Sequence, residues 1–92
     1  MTAHILHPAD VVTVNPLNDP PLDVIRAIVE AVKYRPAHGD HKLCVVLHPE
    51  LLSTGAVTAL VKILAEPPPH VRFYFAADDR ADVPAEIARL VP

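Results

Sequence analysis

Six histidines in a 92-residue chain invite a metal hypothesis. Two stretches concentrate it: "HILH", with His4 and His7, and "HGDH", with His38, Asp40 and His41. A metal site needs three or four ligands converging on one point, and a His-x-x-His pair in a loop fixes no such geometry by itself. The expectation is therefore solvated loop histidines and no bound metal. Ser53 has no assigned base, and His48 is followed directly by Pro49, so no nucleophile and base pair emerges. Asp78 and Asp79 fall just past an apolar run, at the edge where open α/β sheets hold ligands, so they are candidates for a cation. The alternative is a solvated turn leading into the last helix. A phosphate-cradling loop needs several glycines and a lysine at a helix start, and only Gly39 and Gly55 occur. No cofactor is implied.

The elements that must position these residues follow from periodicity. "ADVVTVNP" (residues 9–16) is short, valine-rich and closed by Asn-Pro, as a strand before a turn would be. In "NDPPLDVIRAIVEAVKYRP" Asn18 or Asp19 can cap a helix, and Leu22, Ile25, Ile28, Val29 and Val32 recur at helical spacing. A polar loop at residues 37–41 precedes "KLCVVLHP", a continuous run apolar on both faces that predicts a central strand. Ser53 can cap the next helix, whose stripe is Val57, Leu60, Val61 and Leu64. Three prolines, Pro67 to Pro69, must end that helix by Glu66, because proline lacks the amide donor and pushes its predecessor out of the helical region. "VRFYFAA" then predicts a third strand, and "VPAEIARLV" a short last helix with Pro84 in its first turn. The order strand, helix, strand, helix, strand, helix defines an α/β fold with a small three-stranded parallel sheet joined by right-handed crossovers.

Composition bounds the partners. Hydrophobic residues make up 51% of the chain, so it folds, and at this length it folds as one domain with a modest core. Eight basic residues against 11 acidic ones, scattered along the chain, leave a formal charge of −3 and no footprint for a phosphate backbone. Direct nucleic-acid binding is not expected. Cys44, the single cysteine, sits in an apolar run and reads as a small buried hydrophobe, which suits a reducing cytosol. No stretch is long and apolar enough for a membrane span, and the first ten residues lack the blocks of a signal peptide.

The proline junction carries a resemblance. "ALVKILAEPPPHVRFYFA" is similar to the "ALLKTLEEPPEHVxFxLAT" stretch in the ATPase core of bacterial DNA polymerase III clamp-loader subunits, the gamma/tau and delta-prime proteins of the AAA+ class. "HPADVVTVNP", "LDVIRAIVEAV", "VKYRPAHGDHKLCVV" and "DVPAEIARL" resemble further segments of that core, in the same order, from about Pro8 to Leu90. The resemblance implies a partial, truncated AAA+-like core in which the sequence starts after the family's Walker A loop. Where the family carries paired acids at the end of its Walker B strand, this chain has Leu47 and His48, with Glu50 close by. The family's sensor threonine falls on Ala77 or Asp78, and its Ser-Arg-Cys arginine is matched, one position displaced, by Arg89.

Carried through, the resemblance implies a non-catalytic protein, accessory or phage-encoded, that contacts a clamp-loader subunit or another replication protein and modulates or inhibits clamp loading. Its candidate contacts are Phe73, Tyr74 and Phe75 on the last strand and Arg89 at the rim. Two other readings stand beside it. One is a homo-oligomeric structural protein with no replication role. The other is a metal-dependent enzyme using His48, Glu50 and Asp78.

Overall fold

A computed structural model describes residues 8–90. After a 3-10 turn at Pro8–Asp10 come β1 (Val11–Val14), α1 (Pro21–Lys33), β2 (Lys42–Leu47), α2 (Thr54–Ala65), β3 (Val71–Ala76) and α3 (Ala85–Ala88). The three strands are parallel and lie in chain order, β1-β2-β3, so the apolar run at residues 42–47 is the central strand. Two right-handed crossovers moving in one direction put both helices on the same face. Val14, Cys44 and Val46 of the sheet accordingly share one core with Val24, Ile28 and Ala31 of α1, Ala56 and Leu60 of α2, and Ile87 of α3.

The first strand is shorter than the valine-rich run predicts, because Asp10 turns inward in the 3-10 segment and its carboxylate is used elsewhere. The start of α1 also differs. Pro20 is its N-cap, extended at φ −58°, ψ 147°, and no side chain caps it; Pro21 opens the first turn, where a missing amide costs nothing. Asp19 instead accepts the Asn15 amide at 2.9 Å and closes the turn after β1. For α2 the expectation holds: the Ser53 hydroxyl accepts the Ala56 amide at 3.2 Å, and the helix stops at Ala65.

The two helices meet closely at Gly55. A Cβ there would lie 3.1 Å from Ile25 Cδ1, so a side chain at this position would need the end of Ile25 to give by a few tenths of an ångström. The far end of α1 is held by side chains from the sheet. Lys42 Nζ donates to the Ala31 carbonyl at 3.4 Å, and His70 Nε2 lies 3.1 Å from the Val32 carbonyl. These are carbonyls the helix cannot satisfy for itself. The proline run thus delivers His70 to the α1 terminus, while the Lys42 amide bonds the His70 carbonyl at 2.7 Å and starts the β2–β3 pairing.

Candidate functional site

Side chains alternate across a strand, so register decides which face each residue serves. Val12 and Val14 pair with Cys44 and Val46, which pair with Phe73 and Phe75; this set faces the helices. The opposite set is Val11 and Thr13 on β1, Leu43, Val45 and Leu47 on β2, and Arg72, Tyr74 and Ala76 on β3. The described helices all contribute to the core on the first face, and the second face carries no helix among the described residues. Its centre is aliphatic and part-exposed; Thr13, Arg72 and Tyr74 at its margins are exposed, Tyr74 by 59%.

The three aromatics proposed as contacts are therefore divided. Phe73 and Phe75 pack against the core from beneath the helices, and Tyr74 alone points to the open face. The central strand is buried on its helix side and only half-covered on the other, so its apolar character on both faces is not matched by cover on both faces.

The second region of interest is the C-terminal edge of the sheet. His48 leaves β2 in the left-handed conformation, φ 47° and ψ 57°, the only non-glycine with positive φ among the described residues. This bend swings Pro49–Leu51 into a 3-10 turn and brings His48 Nδ1 to 3.5 Å from Glu50 Oε2. Both side chains are about 45% exposed, so the pair is a surface contact of at most about 1 kcal/mol. A non-glycine residue in this conformation costs about 1–2 kcal/mol. His48→Gly is expected to raise stability by roughly 0.5 kcal/mol after glycine's larger unfolded-state entropy is counted, measured by urea unfolding. A loss of more than 1 kcal/mol would mean that the ring holds the edge together.

Asp78 is exposed beyond the end of β3, and Asp79 accepts the Ala81 amide at 2.9 Å, closing the turn that leads to α3. That is a turn-forming role. Arg89 lies exposed at the end of α3. Beside them, Glu50, Ala81, Asp82, Val83, Pro84, Ala85 and Ala88 line an open depression of about 630 Å³. Among the described residues no three His, Cys, Asp or Glu side chains gather as a metal site, so His48, Glu50 and Asp78 are not brought together as ligands, and neither are His38, Asp40 and His41. His4 and His7 lie outside the described residues.

Cys44 is fully buried, and burial pushes its thiol up from 9.0 to about 11, the charge of Lys42 opposing only part of this. The thiolate is the reactive form. Native protein at pH 8 is expected to resist a thiol reagent that labels the urea-unfolded chain completely; rapid native labelling would contradict the packing.

One buried group went unnoticed in the sequence. Asp10 is fully buried, and its carboxylate accepts the backbone amides of Ala37, His38 at 3.0 Å and Gly39 at 2.9 Å. Burial alone would raise its pKa, but the three amides, with the charge of His38, draw it below the ordinary 3.8. The only available signal was an acid at the head of an apolar run, facing a glycine-bearing loop 29 residues later.

A short parallel sheet in chain order, with its helices gathered on one face and an edge bent by a left-handed residue, defines a small α/β core. The chain belongs to the family described as DNA polymerase III, delta subunit, which matches residues 4–89. It is 33% identical over 79 residues to the tau subunit of DNA polymerase III of Bacillus subtilis, spanning 86% of this chain and 14% of that protein. With the tau subunit of Escherichia coli it shares 31% over 78 residues, 85% of this chain and 12% of the other. The chain thus spans about one-seventh or less of the length of these two relatives. Among solved structures, a gamma subunit-related protein of Thermotoga maritima superposes with a TM-score of 0.75 at 24% identity, over 92% of this chain and 29% of that one; this likeness is one of fold.

Proposed function

We propose that this chain is a non-catalytic clamp-loader-like domain that acts by protein–protein contact with the DNA replication machinery, binding a clamp-loader subunit and modulating clamp loading. The observation that carries it is the uncovered face of the parallel sheet. Such sheets bury both faces almost without exception, so an open one asks for a partner. Family membership supports the choice of partner, since the named relatives are subunits of DNA polymerase III. The non-catalytic half of the reading is supported by the end of β2, where Leu47 and His48 stand in place of paired acids and Glu50 is engaged by His48. With no carboxylate pair to hold a metal and polarise a water, phosphoryl transfer has no catalytic centre in these residues.

The test is a reconstituted clamp-loading assay with purified protein in excess over the loader, read beside direct binding to each loader subunit. Binding with a several-fold change in loading rate is expected, and ATP turnover by the protein alone is expected to be absent. An unchanged loading rate together with no binding to any subunit would overturn the reading.

A further inference from the structure

The outer edge of β3 offers unpaired backbone, and the side chains along it are complementary to themselves. We propose that this edge pairs antiparallel with the same edge of a second copy of the chain, about a two-fold axis at Tyr74, so that the two sheets become one. The inference goes beyond the reading above and stands without it.

Backbone direction is the first argument. β3 is the last strand in the order β1-β2-β3, so one of its edges has no neighbouring strand among the described residues. The Lys42 amide bonds the His70 carbonyl, which sets residues 70, 72, 74 and 76 to direct their backbone groups at β2. The amides and carbonyls of Phe73 and Phe75 point the other way, and they have no hydrogen-bond partner among the described residues. Natural edges are blunted by proline, by charge or by shortness. β3 has 6 residues, no proline and a single charge, Arg72. The opposite edge is blunter: β1 has 4 residues, and the backbone of Asn15 just beyond it is used in the turn towards α1.

Side chains choose the occupant and the register. Both phenylalanines and one of the two tyrosines of the chain are consecutive on this strand. In an antiparallel pair, residues that point outward must face residues that also point outward. An axis at Tyr74 sets each Phe73 opposite Phe75 of the second copy, and each such pair exchanges two backbone hydrogen bonds. On the open face Tyr74 meets Tyr74, so every central contact is aromatic, the kind of cross-strand pair that stabilises sheets. Charge agrees with this register. Arg72 falls opposite Ala76 and diagonal to Asp78, which stands exposed two positions past the strand's end; diagonal neighbours are about 7–8 Å apart, within reach of a long side chain. An axis at Phe73 would carry Asp78 away to Pro68. An axis at Phe75 would keep the charge pair but set Tyr74 opposite Ala76 and Phe73 opposite Ala77. Pairing β3 with the β1 edge of another copy would not close, and would lead to an open chain of subunits. One strand edge per copy is a contact well below the roughly 800 Å² per partner of a standard interface, so the dimer is weak and reversible, with a Kd on the order of 10–100 µM.

Sedimentation across that concentration range is expected to show the mean mass rising from that of one chain towards that of two. Amide exchange at Phe73 and Phe75 should slow over the same range, while that at Val11 and Thr13, the outward amides of β1, stays unchanged. Tyr74→Glu sets two carboxylates face to face at the axis; at a position 59% exposed it should leave the fold intact and the protein monomeric up to about 1 mM. Arg72→Glu and Asp78→Arg should each weaken the dimer at least about five-fold, and an equimolar mixture of the two should dimerise as the wild type does, because each supplies the charge the other now needs. A mass that stays that of one chain up to about 1 mM would overturn the inference. So would slow exchange at Phe73 and Phe75 in dilute monomer, growth into assemblies larger than two, or a mixture that binds no better than its components.

Discussion

Ile28→Ala is expected to destabilise the protein by about 3 kcal/mol, whereas Leu22→Ala, on the same helix, should change stability by less than about 0.5 kcal/mol. Ile28 is fully buried in the core that α1 shares with β2 and α2; Leu22 is 73% exposed. Removing three carbons at Ile28 forfeits their transfer energy and leaves a void that the close-packed core, which includes Leu60 and Val46, fills only in part. A domain of this size holds few kcal/mol in reserve, so Ile28→Ala should shift the urea midpoint far down or leave the chain unfolded at 25 °C. Equal losses at both positions would mean that α1 is rotated from the orientation described.

That pair of residues also shows how far the sequence could be read. Helical spacing located α1 and named Ile28, but it grouped Leu22 and Val29 with the buried stripe. The face that packs is Val24, Ile28 and Ala31, with Leu22 and Val29 outside. Periodicity reports that a helix has an apolar side; where the helix turns that side is decided by the layer it meets. Here one of the three buried residues is Ala31, which hydropathy ranks below leucine. The strands were legible because β-branched runs bounded by proline admit few alternatives, and their order followed from parallel crossovers. The division of Phe73, Tyr74 and Phe75 between two faces is fixed by pairing register with β2, which a run of three aromatics does not reveal. At the edge, the order Leu47, His48, Pro49, Glu50 was readable as departing from paired acids, but the left-handed turn that joins His48 to Glu50 was not. Such a conformation in a non-glycine residue is imposed by its surroundings rather than preferred by the residue.

Long-range polar contacts are the least legible of all, and Asp10 has the most consequence among them. It fastens the loop between α1 and β2 to the start of β1, and Asp10→Ala would leave the amides of residues 37–39 without their acceptor inside the protein. Residues 37–39 are themselves exposed, so the loss falls mainly on the cavity left by the buried Asp10 carboxylate and on the loop it fastens, and a fall in Tm on the order of 5 °C is expected by calorimetry. The effect carries a pH signature. Because the folded protein holds the Asp10 pKa below the ordinary 3.8, the unfolded chain takes up the proton first as pH falls. Its stabilisation is complete above about pH 5 and is lost as pH falls through 3.8 towards the lower folded value. Asp10→Asn cannot titrate, so the gap in Tm between wild type and this variant should be constant from pH 7 to pH 5 and narrow below pH 4. A gap that stayed constant down to pH 3 would mean that the three amides do not favour the charged carboxylate, and that the loop is held by packing instead.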